Sequence, residues 1–256
     1  MKLFIINRKL MSRALMMVLL LGISVAYTAG TESGFLSVFM NNKRKLPIYC
    51  VDTSEKRIAI SFDAAWGADY TEGLLKTLKE HNVKTTFFLV GFWVDKYPEM
   101  VKRISDEGHE IGNHSAKHPK MSTLSKEQII KELNSTSDKI EAIIGKPTVL
   151  LRPPFGDYND RLIETSQELG YQVIQWDVDS LDYKDYGTQS IVDRVMKKVS
   201  DGSIVLFHNN ATYTNEALPI ILDKLQEQGY KIVPISELIY KENYYIDHTG
   251  RQKPLE

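Results

Sequence analysis

Residues 57–63 read RIAISFD. The run is apolar enough to form a central strand of a sheet, and Asp63 closes it. Four more polar clusters follow apolar runs further along the chain. They are HSAKHP at 114–119, RPPFG at 152–156, DSLD at 179–182 and LFH at 206–208. Because strand ends converge on one face of a barrel, we expect these clusters to form one site.

Strand-like and helix-like runs alternate from Arg57 onward, which predicts an α/β fold with a parallel sheet and helices outside it. About seven repeats favour a distorted (β/α) barrel of about seven parallel strands over an open sheet. Further strands are predicted at 84–90, 110–112, 149–151, 172–176, 203–207 and 231–233. Helices are predicted at 71–80, 98–107, 125–144, 160–169, 190–199 and 215–228. Ser125 and Gln128 predict a capping box at the start of the longest helix.

The composition indicates one catalytic domain with short additions, since the chain has 256 residues, 43% of them hydrophobic and 25% charged. The formal net charge is -1. Four of the 32 basic residues precede the first apolar run, and without them 28 basic residues face 33 acidic ones, a charge of -5. An acidic domain is a poor candidate for binding nucleic acid. We expect a monomer.

The N-terminus has the pattern of an export signal. Basic residues precede the apolar run 14–25, and the end of that run, SVA at 24–26, offers small residues of the kind that a signal peptidase needs. We predict a signal peptide or membrane anchor at 1–29, and the pattern leaves cleavage and anchoring both open. A linker and N-terminal hairpin strand are predicted at 30–56, and a catalytic domain at 57–256. The protein is therefore expected to be secreted or membrane-anchored in the cell or spore envelope, contacting the membrane only through its N-terminal segment.

Cysteine and three of the histidines are assigned no chemistry. Cys50 is the only cysteine, so no internal disulfide is possible, and we expect it to be a small buried side chain in a strand. His81 and His109 fall in helix-to-strand joints and His248 in the C-terminal tail. We expect all three imidazoles to be solvated.

Two strand ends carry candidate acid–base residues. Burial at the end of a strand raises the basicity of a carboxylate, so Asp63 is a candidate general base, with a helix cap or turn as the alternative. His208 is a candidate general acid if a buried carboxylate keeps it protonated, and otherwise a structural histidine. Asp179 and Asp182 lie close in sequence and require a cation or protonated imidazole nearby.

His114 and His118 are candidate metal ligands. Four residues apart, they would lie on one face of a helical turn, a usual way to hold a divalent cation. A capping histidine and a surface histidine are the alternative. Asn113 and Ser115 are placed to supply supporting hydrogen bonds.

Arg152 and the residues after it suggest a substrate-binding turn. A buried guanidinium requires an anion beside it, and Asp63 is the candidate. Two prolines stiffen the backbone and lack N–H donors, so the amides of Phe155 and Gly156 are expected to be free. The functional interpretation is an oxyanion hole, and the alternative is a rigid turn.

Taken in order, these motifs resemble those of the polysaccharide deacetylases of carbohydrate esterase family 4, the NodB-homology domain. The resemblance covers roughly Arg57 to Tyr240. It implies a distorted barrel of parallel strands, a zinc-type divalent metal, and removal of N-linked acetyl groups from polymeric amino sugars. The resemblance implies that Asp63 is the catalytic base and His208 the catalytic acid, and that His114 and His118 are metal ligands. It also implies that Arg152 orients the base, that the Phe155 N–H donates to the oxyanion, and that Asp182 tunes the acid.

The chain departs from the family pattern after Asp63. The family usually has a second aspartate there that ligates the metal, whereas this chain has Ala64. A methyl group cannot coordinate a cation, so water, Asp69 or a backbone oxygen would have to complete the shell, at lower affinity. The stretch SFDAAWG at 61–67 is itself similar to a sporulation-associated branch in endospore-forming bacteria. That similarity implies a role on spore wall peptidoglycan.

Three functions follow as hypotheses. The first is a metal-dependent hydrolase that deacetylates a cell-wall glycan. The second is a catalytically weak or inactive glycan-binding protein of the spore wall, favoured by Ala64. The third is hydrolysis of another amide, such as a peptidoglycan stem bond. Aromatic residues near the clusters either stack on sugars or pack at the barrel rim. They are Trp66, Phe92, Trp93, Tyr158, Tyr183 and Tyr186, of which Trp66 and Tyr158 are candidate substrate contacts.

Overall fold

A computed structural model describes residues 15–20 and 44–255. Residues 15–20 are helical, and no helix among the described residues is long and apolar enough to cross a membrane. The remaining parts of the predicted leader and linker, 1–14 and 21–43, lie outside the described residues. A compact unit runs from Lys45 to Glu256.

Parallel pairing dominates the architecture. The strands are β1 (Cys50–Val51), β2 (Arg57–Ala64), β3 (Thr86–Leu89), β4 (Glu110–Asn113), β5 (Leu150–Leu151), β6 (Gln172–Val173), β7 (Val178–Asp179), β8 (Ile204–His208), β9 (Lys231–Ile232), β10 (Tyr244–Ile246) and β11 (Arg251–Pro254). Seven lie side by side in the order β6-β5-β4-β3-β2-β8-β7, all parallel, and β9 pairs with the start of β2. The sheet curls into a distorted barrel, which confirms the predicted fold.

Helices connect the strands around the sheet. They are α1 (Thr71–Glu80), α2 (Gly91–Lys96), α3 (Pro98–Asp106), α4 (Lys126–Ile144), α5 (Asp160–Glu168), α6 (Thr188–Lys198), α7 (Thr214–Glu227) and α8 (Ile235–Leu238). All six predicted helices are present. The sequence pattern missed α2 and α8 because helices of six and four residues are too short to display a 3.6-residue period. Ser125 and Gln128 form the predicted capping box at α4.

The central strand β2 has two different faces. Ile58, Ile60 and Phe62 pack into the main hydrophobic cluster, which also includes residues of α1 and α7. Each such side chain contributes about 1.5–3 kcal/mol on burial. Because side chains alternate along a strand, Ser61 and Asp63 point to the opposite side, where they meet Arg152. The apolar face thus fixes where the carboxylate points.

The hairpin predicted at the N-terminal edge is not formed by the described residues. β1 pairs in parallel with β11, and β10 completes this second, three-stranded sheet. Ile48 and Val51 pack in a cluster with Ile174 and Ile204 of the barrel, so burial of apolar surface holds this segment against the barrel rather than beside β2. Cys50 is buried as expected, and burial, the largest effect, raises its pKa to about 11.

Candidate active site

The predicted convergence of strand ends occurs. β2 and β8 are neighbours in the sheet, and Asp63 pairs in register with His208 at their carboxyl ends. Both side chains line one cleft of about 470 Å³, together with His114 and His118. Residues from positions 63 to 208 therefore meet at one mouth of the barrel.

Arg152 binds the candidate base. This fully buried guanidinium donates from Nη1 to Asp63 Oδ1 at 2.9 Å and to Ser61 Oγ at 2.7 Å, and from Nη2 to the Gln175 carbonyl at 3.1 Å. Its central carbon lies 4.2 Å from the centre of the Phe88 ring. The predicted partnership of Arg152 with Asp63 is present.

The charge state of Asp63 differs from the expectation of raised basicity. Burial pushes the pKa of this carboxyl upward, but the charge of Arg152, with smaller contributions from His114 and His208, outweighs it and holds the pKa below its usual value. Asp63 is therefore a firmly ionised carboxylate. It is available to accept a proton, but it is a weaker base than burial alone would make it.

His208 and Asp182 form a second pair across the cleft. His208 Nδ1–H donates to Asp182 Oδ1 at 2.8 Å, and the His208 backbone N–H donates to Oδ2 at 2.7 Å. Thr214 Oγ1–H also donates to the fully buried Asp182, at 2.8 Å. Burial lowers the pKa of His208, but the hydrogen bond and charge of Asp182 more than offset it, so the net pKa is raised. The pair favours a protonated imidazole.

His114 and His118 meet through a loop, not the helical turn that their spacing suggested. The segment after β4 has no helical residues, and Ser115 and His118 take left-handed φ angles of 67° and 57°. The ring centres lie 5.0 Å apart. His114 Nδ1–H donates to the Arg152 carbonyl at 2.7 Å, which leaves Nε2 unprotonated and 3.5 Å from Asp63 Oδ2.

The imidazole pair fits a divalent metal only in part. Burial, the largest cause, lowers the pKa of both rings, that of His118 to about 4, so both are neutral and carry a lone pair suited to a metal. A catalytic zinc usually has three protein ligands. Among the described residues no group of three histidine, cysteine, aspartate or glutamate side chains is placed to hold a metal. Ala64 is buried in the main hydrophobic cluster, and Asp69 is exposed and does not line the cleft.

The turn after Arg152 offers one free amide, not two. Phe155 lies in a short 3-10 turn with a left-handed φ of 60°. The Gly156 N–H donates to the Pro153 carbonyl at 3.1 Å and is therefore not free, contrary to the prediction. The Phe155 N–H has no hydrogen-bond acceptor within the described residues.

Exposed aromatic rings surround the cleft. Trp66, Phe155 and Tyr183 line it, and they are 56%, 64% and 48% exposed. Trp66 and Phe155 contact the His118 ring edge-on, with centres 5.0 and 4.5 Å away, and Tyr183 contacts His208 at 5.2 Å. Large aromatic side chains gathered at a cleft mouth are typical of a ligand-binding surface.

Several other predicted positions lie elsewhere. Tyr158 does not line the cleft. It packs against a hydrophobic cluster that includes Leu133 of α4 and Leu162 of α5, and its hydroxyl lies 3.2 Å from that of Tyr49. Trp93 is buried, and its indole N–H donates to the Gly67 carbonyl. His109, expected to be solvated, is buried against Thr85 and Phe87.

Other residues of the site escaped the sequence analysis. Ser61 binds Arg152, and its position two residues before Asp63 on the same strand face was the available signal. Asn209 donates from its backbone to the Asp63 carbonyl and from its side chain to the Gly67 carbonyl. Its only signal was its place next to His208. Trp176 and Asn210 also line the cleft.

Comparison with known proteins agrees with this geometry. A polysaccharide deacetylase family model matches residues 51–174. The chain is 39% identical over 194 residues to a peptidoglycan-N-acetylglucosamine deacetylase of Bacillus cereus, covering 74% of this chain and 91% of that protein. This chain belongs to the polysaccharide deacetylase family, carbohydrate esterase family 4. The family places it among hydrolases of N-acetyl amide bonds.

Two further relatives differ in what their names say. Peptidoglycan-N-acetylmuramic acid deacetylase PdaC of Bacillus subtilis is 40% identical over 188 residues, which cover 73% of this chain but only 40% of PdaC. A family 4 pseudoenzyme from Bacillus anthracis has a crystal structure with TM-score 0.73 and 38% identity, covering 75% of this chain and 68% of that one. A mutant of that pseudoenzyme is described as having restored enzymatic activity, with TM-score 0.73 and 40% identity, covering 75% of this chain and 70% of that one.

Proposed function

We propose that this chain hydrolyses N-acetyl groups of amino sugars in a cell-wall, spore-peptidoglycan-type glycan. The observation that carries the proposal is the pairing of two opposite dyads across one cleft. Arg152 keeps Asp63 anionic, and Asp182 favours a protonated His208. Amide hydrolysis needs a proton acceptor for water and a proton donor for the leaving amine, and these dyads supply one of each.

The proposed steps balance as an ordinary amide hydrolysis. Asp63 accepts a proton from a water molecule while the oxygen of that water attacks the acetyl carbonyl carbon. The Phe155 N–H, which has no acceptor among the described residues, donates to the developing oxyanion. His208 then donates its proton to the amide nitrogen while the carbon–nitrogen bond breaks, which releases acetate and leaves a free amine on the sugar. Asp182 stabilises the imidazolium before that transfer.

A divalent metal, zinc by analogy with catalytic sites of this donor type, would be held by His114 and His118. When bound, such a metal polarises a carbonyl and acidifies water. That chemistry would offset the weak basicity of Asp63. With two imidazoles and no third ligand group in the described part of the chain, we propose that the metal is held weakly.

The aromatic rim supports a polymeric sugar as the substrate. Trp66, Phe155 and Tyr183 line the cleft and are exposed, and sugar rings stack on aromatic faces of this kind. The B. cereus relative and PdaC are named for deacetylating peptidoglycan, which supports a substrate in the cell envelope. We propose that the N-terminal segment exports the chain to that location.

The test is acetate release from N-acetylated peptidoglycan during a zinc titration. We expect slow release that rises with zinc and is lost in Asp63→Asn. A folded protein that releases no acetate at any zinc concentration would refute the hydrolytic function.

A second candidate is a glycan-binding protein with little or no turnover. The alanine at position 64 and the likeness to a family 4 pseudoenzyme favour it. Asp63→Asn separates the two candidates, because a binding protein keeps both its glycan affinity and its cellular role without the base. In the same variant a hydrolase can keep its glycan affinity but loses its cellular role.

A further inference from the structure

One carboxylate in the cleft has no part in the proposed chemistry. Asp179, at the end of β7, lines the cleft. Its Oδ1 accepts from the Leu181 N–H at 2.9 Å, and its backbone carbonyl accepts from Arg194 Nε at 2.8 Å. Its Oδ2 accepts no hydrogen bond from the described residues. Asp179 is therefore held through its backbone carbonyl and its Oδ1, while its Oδ2 has no partner among the described residues.

Asp179 lies close to the reacting groups. After the effects of burial and Asp182, the charges of Asp63 and Asp179 also raise the pKa of His208. Trp176 and Tyr183 line the same cleft as Asp179.

The cleft offers little to a negatively charged ligand at this wall. The described residues that line it include Asp63 and Asp179 but no lysine or arginine, and His208, which is favoured as a cation, already has Asp182 as its partner. Arg152 is buried and paired with Asp63. Lys184 Nζ lies 5.3 Å from the centre of the Tyr183 ring, but Lys184 is exposed and does not line the cleft, so salt screens its charge.

We propose that Asp179 is a specificity residue. It selects uncharged N-acetylated sugar units over units that carry a carboxylic acid through an ether link, as a lactyl group does. This inference rests on the proposed function and names its substrate class. A sugar hydroxyl donates a hydrogen bond to Asp179 Oδ2. An ether-linked carboxylic acid in place of that hydroxyl removes the hydrogen-bond donor. It also brings a second negative charge beside the Asp179 carboxylate, and both changes disfavour binding.

The experiment compares binding of two glycans of equal length by calorimetry. One is tetra-N-acetylchitotetraose, and the other alternates N-acetylglucosamine with N-acetylmuramic acid bearing free lactyl carboxylates. The variants are Asp179→Asn and, as a matched control, Asp185→Asn, which removes the same charge from an exposed position outside the cleft. Each titration is run with zinc and after chelation, because a bound cation adds positive charge to the cleft.

We expect the wild type to bind the neutral glycan roughly tenfold more tightly than the acidic one. Asp179→Asn should reduce that ratio to about threefold or less, with and without zinc, while Asp185→Asn leaves it unchanged. Equal affinity of the wild type for both glycans, or an unchanged ratio in Asp179→Asn, overturns this inference and leaves the proposed function standing. Binding of neither glycan overturns both.

Discussion

Asp63 and Arg152 are 89 positions apart in the chain, and their carboxylate and guanidinium lie 2.9 Å apart in the barrel interior. The arginine is fully buried, and Asp63 is nearly so. Removing both charges from water is costly, and only their mutual attraction and further hydrogen bonds offset that cost. Ser61 and the Gln175 carbonyl supply two of those bonds.

Loss of the guanidinium should therefore destabilise the fold as well as the site. We expect Arg152→Met to lower the free energy of unfolding by about 3–5 kcal/mol at neutral pH, because Asp63 is left as an unpaired buried charge. Urea unfolding measures this change. The double variant with Asp63→Asn should lose less than the sum of the two single variants, since no charge is then left unpaired. Strict additivity would contradict a direct pairing.

The Asp182–His208 pair predicts a shift in pH dependence. As the proposed proton donor, His208 acts only while it is protonated, and Asp182 raises its pKa. Asp182→Asn removes the negative charge, so the pKa of His208 should fall and the alkaline limb of the pH–rate profile should move to lower pH. Nitrogen-15 NMR of the His208 ring measures the same change without requiring turnover. An unmoved titration would show that Asp182 does not set the charge of His208.

A carboxylate at position 64 should strengthen metal binding. Ala64 follows the proposed base, at the position where the resemblance to the family implies a metal-ligating aspartate, and a third ligand should raise zinc affinity by about tenfold or more. Because position 64 is buried, Ala64→Asp should also be destabilised without zinc and regain stability with it.

Calorimetric zinc titration and thermal unfolding with and without zinc check this prediction. Ala64→Asn is the matched control, since it has the same shape as aspartate and a poorer ligand for zinc. If the aspartate and asparagine variants bind zinc equally, position 64 does not reach the metal. Acetate release should follow zinc affinity across the wild type and both variants.

His109 should make the fold sensitive to acid. Its Nδ1 accepts from the Thr85 N–H, and burial, the largest cause, lowers its pKa from 6.5 to about 4. Above pH 6.5 the ring is neutral whether the chain is folded or not. Between pH 6.5 and about 4 only the unfolded chain takes up the proton, so stability falls, by about 3 kcal/mol in full.

Chemical unfolding at a series of pH values measures this effect. His109→Gln should flatten the fall in stability between pH 6.5 and 4, whatever its stability at neutral pH. His248→Gln, at an exposed position, should keep the wild-type slope. Equal slopes in all three proteins would assign the acid sensitivity to other groups.

The elements of the barrel were predictable where the local pattern was long enough. The continuous apolar run of β2 and the period near 3.6 in α4 are properties of consecutive residues, so both were readable. Strand β11 was missed because RQKP carries no apolar alternation. It forms because the neighbouring strand β10 and the distant strand β1 supply backbone partners on its two sides.

The sequence predicted the principal charged residues of the candidate site but not their charge states or all of their neighbours. The polar residues at strand ends pointed to Asp63, Arg152 and His208, since parallel strands end on one face. The loop that joins His114 to His118 was mistaken for a helical turn, because a spacing of four residues is compatible with both.

The sequence by itself determined the alternation of strands and helices, the family motifs and the alanine at position 64, because each is a matter of residue identity and order. Only the tertiary structure decided that Asp63 is ionised rather than strongly basic, that the Gly156 amide is occupied, and that Asp179 has a free oxygen in the cleft. The physical reason is that pKa values and hydrogen bonds depend on neighbours in space. For Asp63 the decisive neighbour is Arg152, which folding brings across 89 positions of chain.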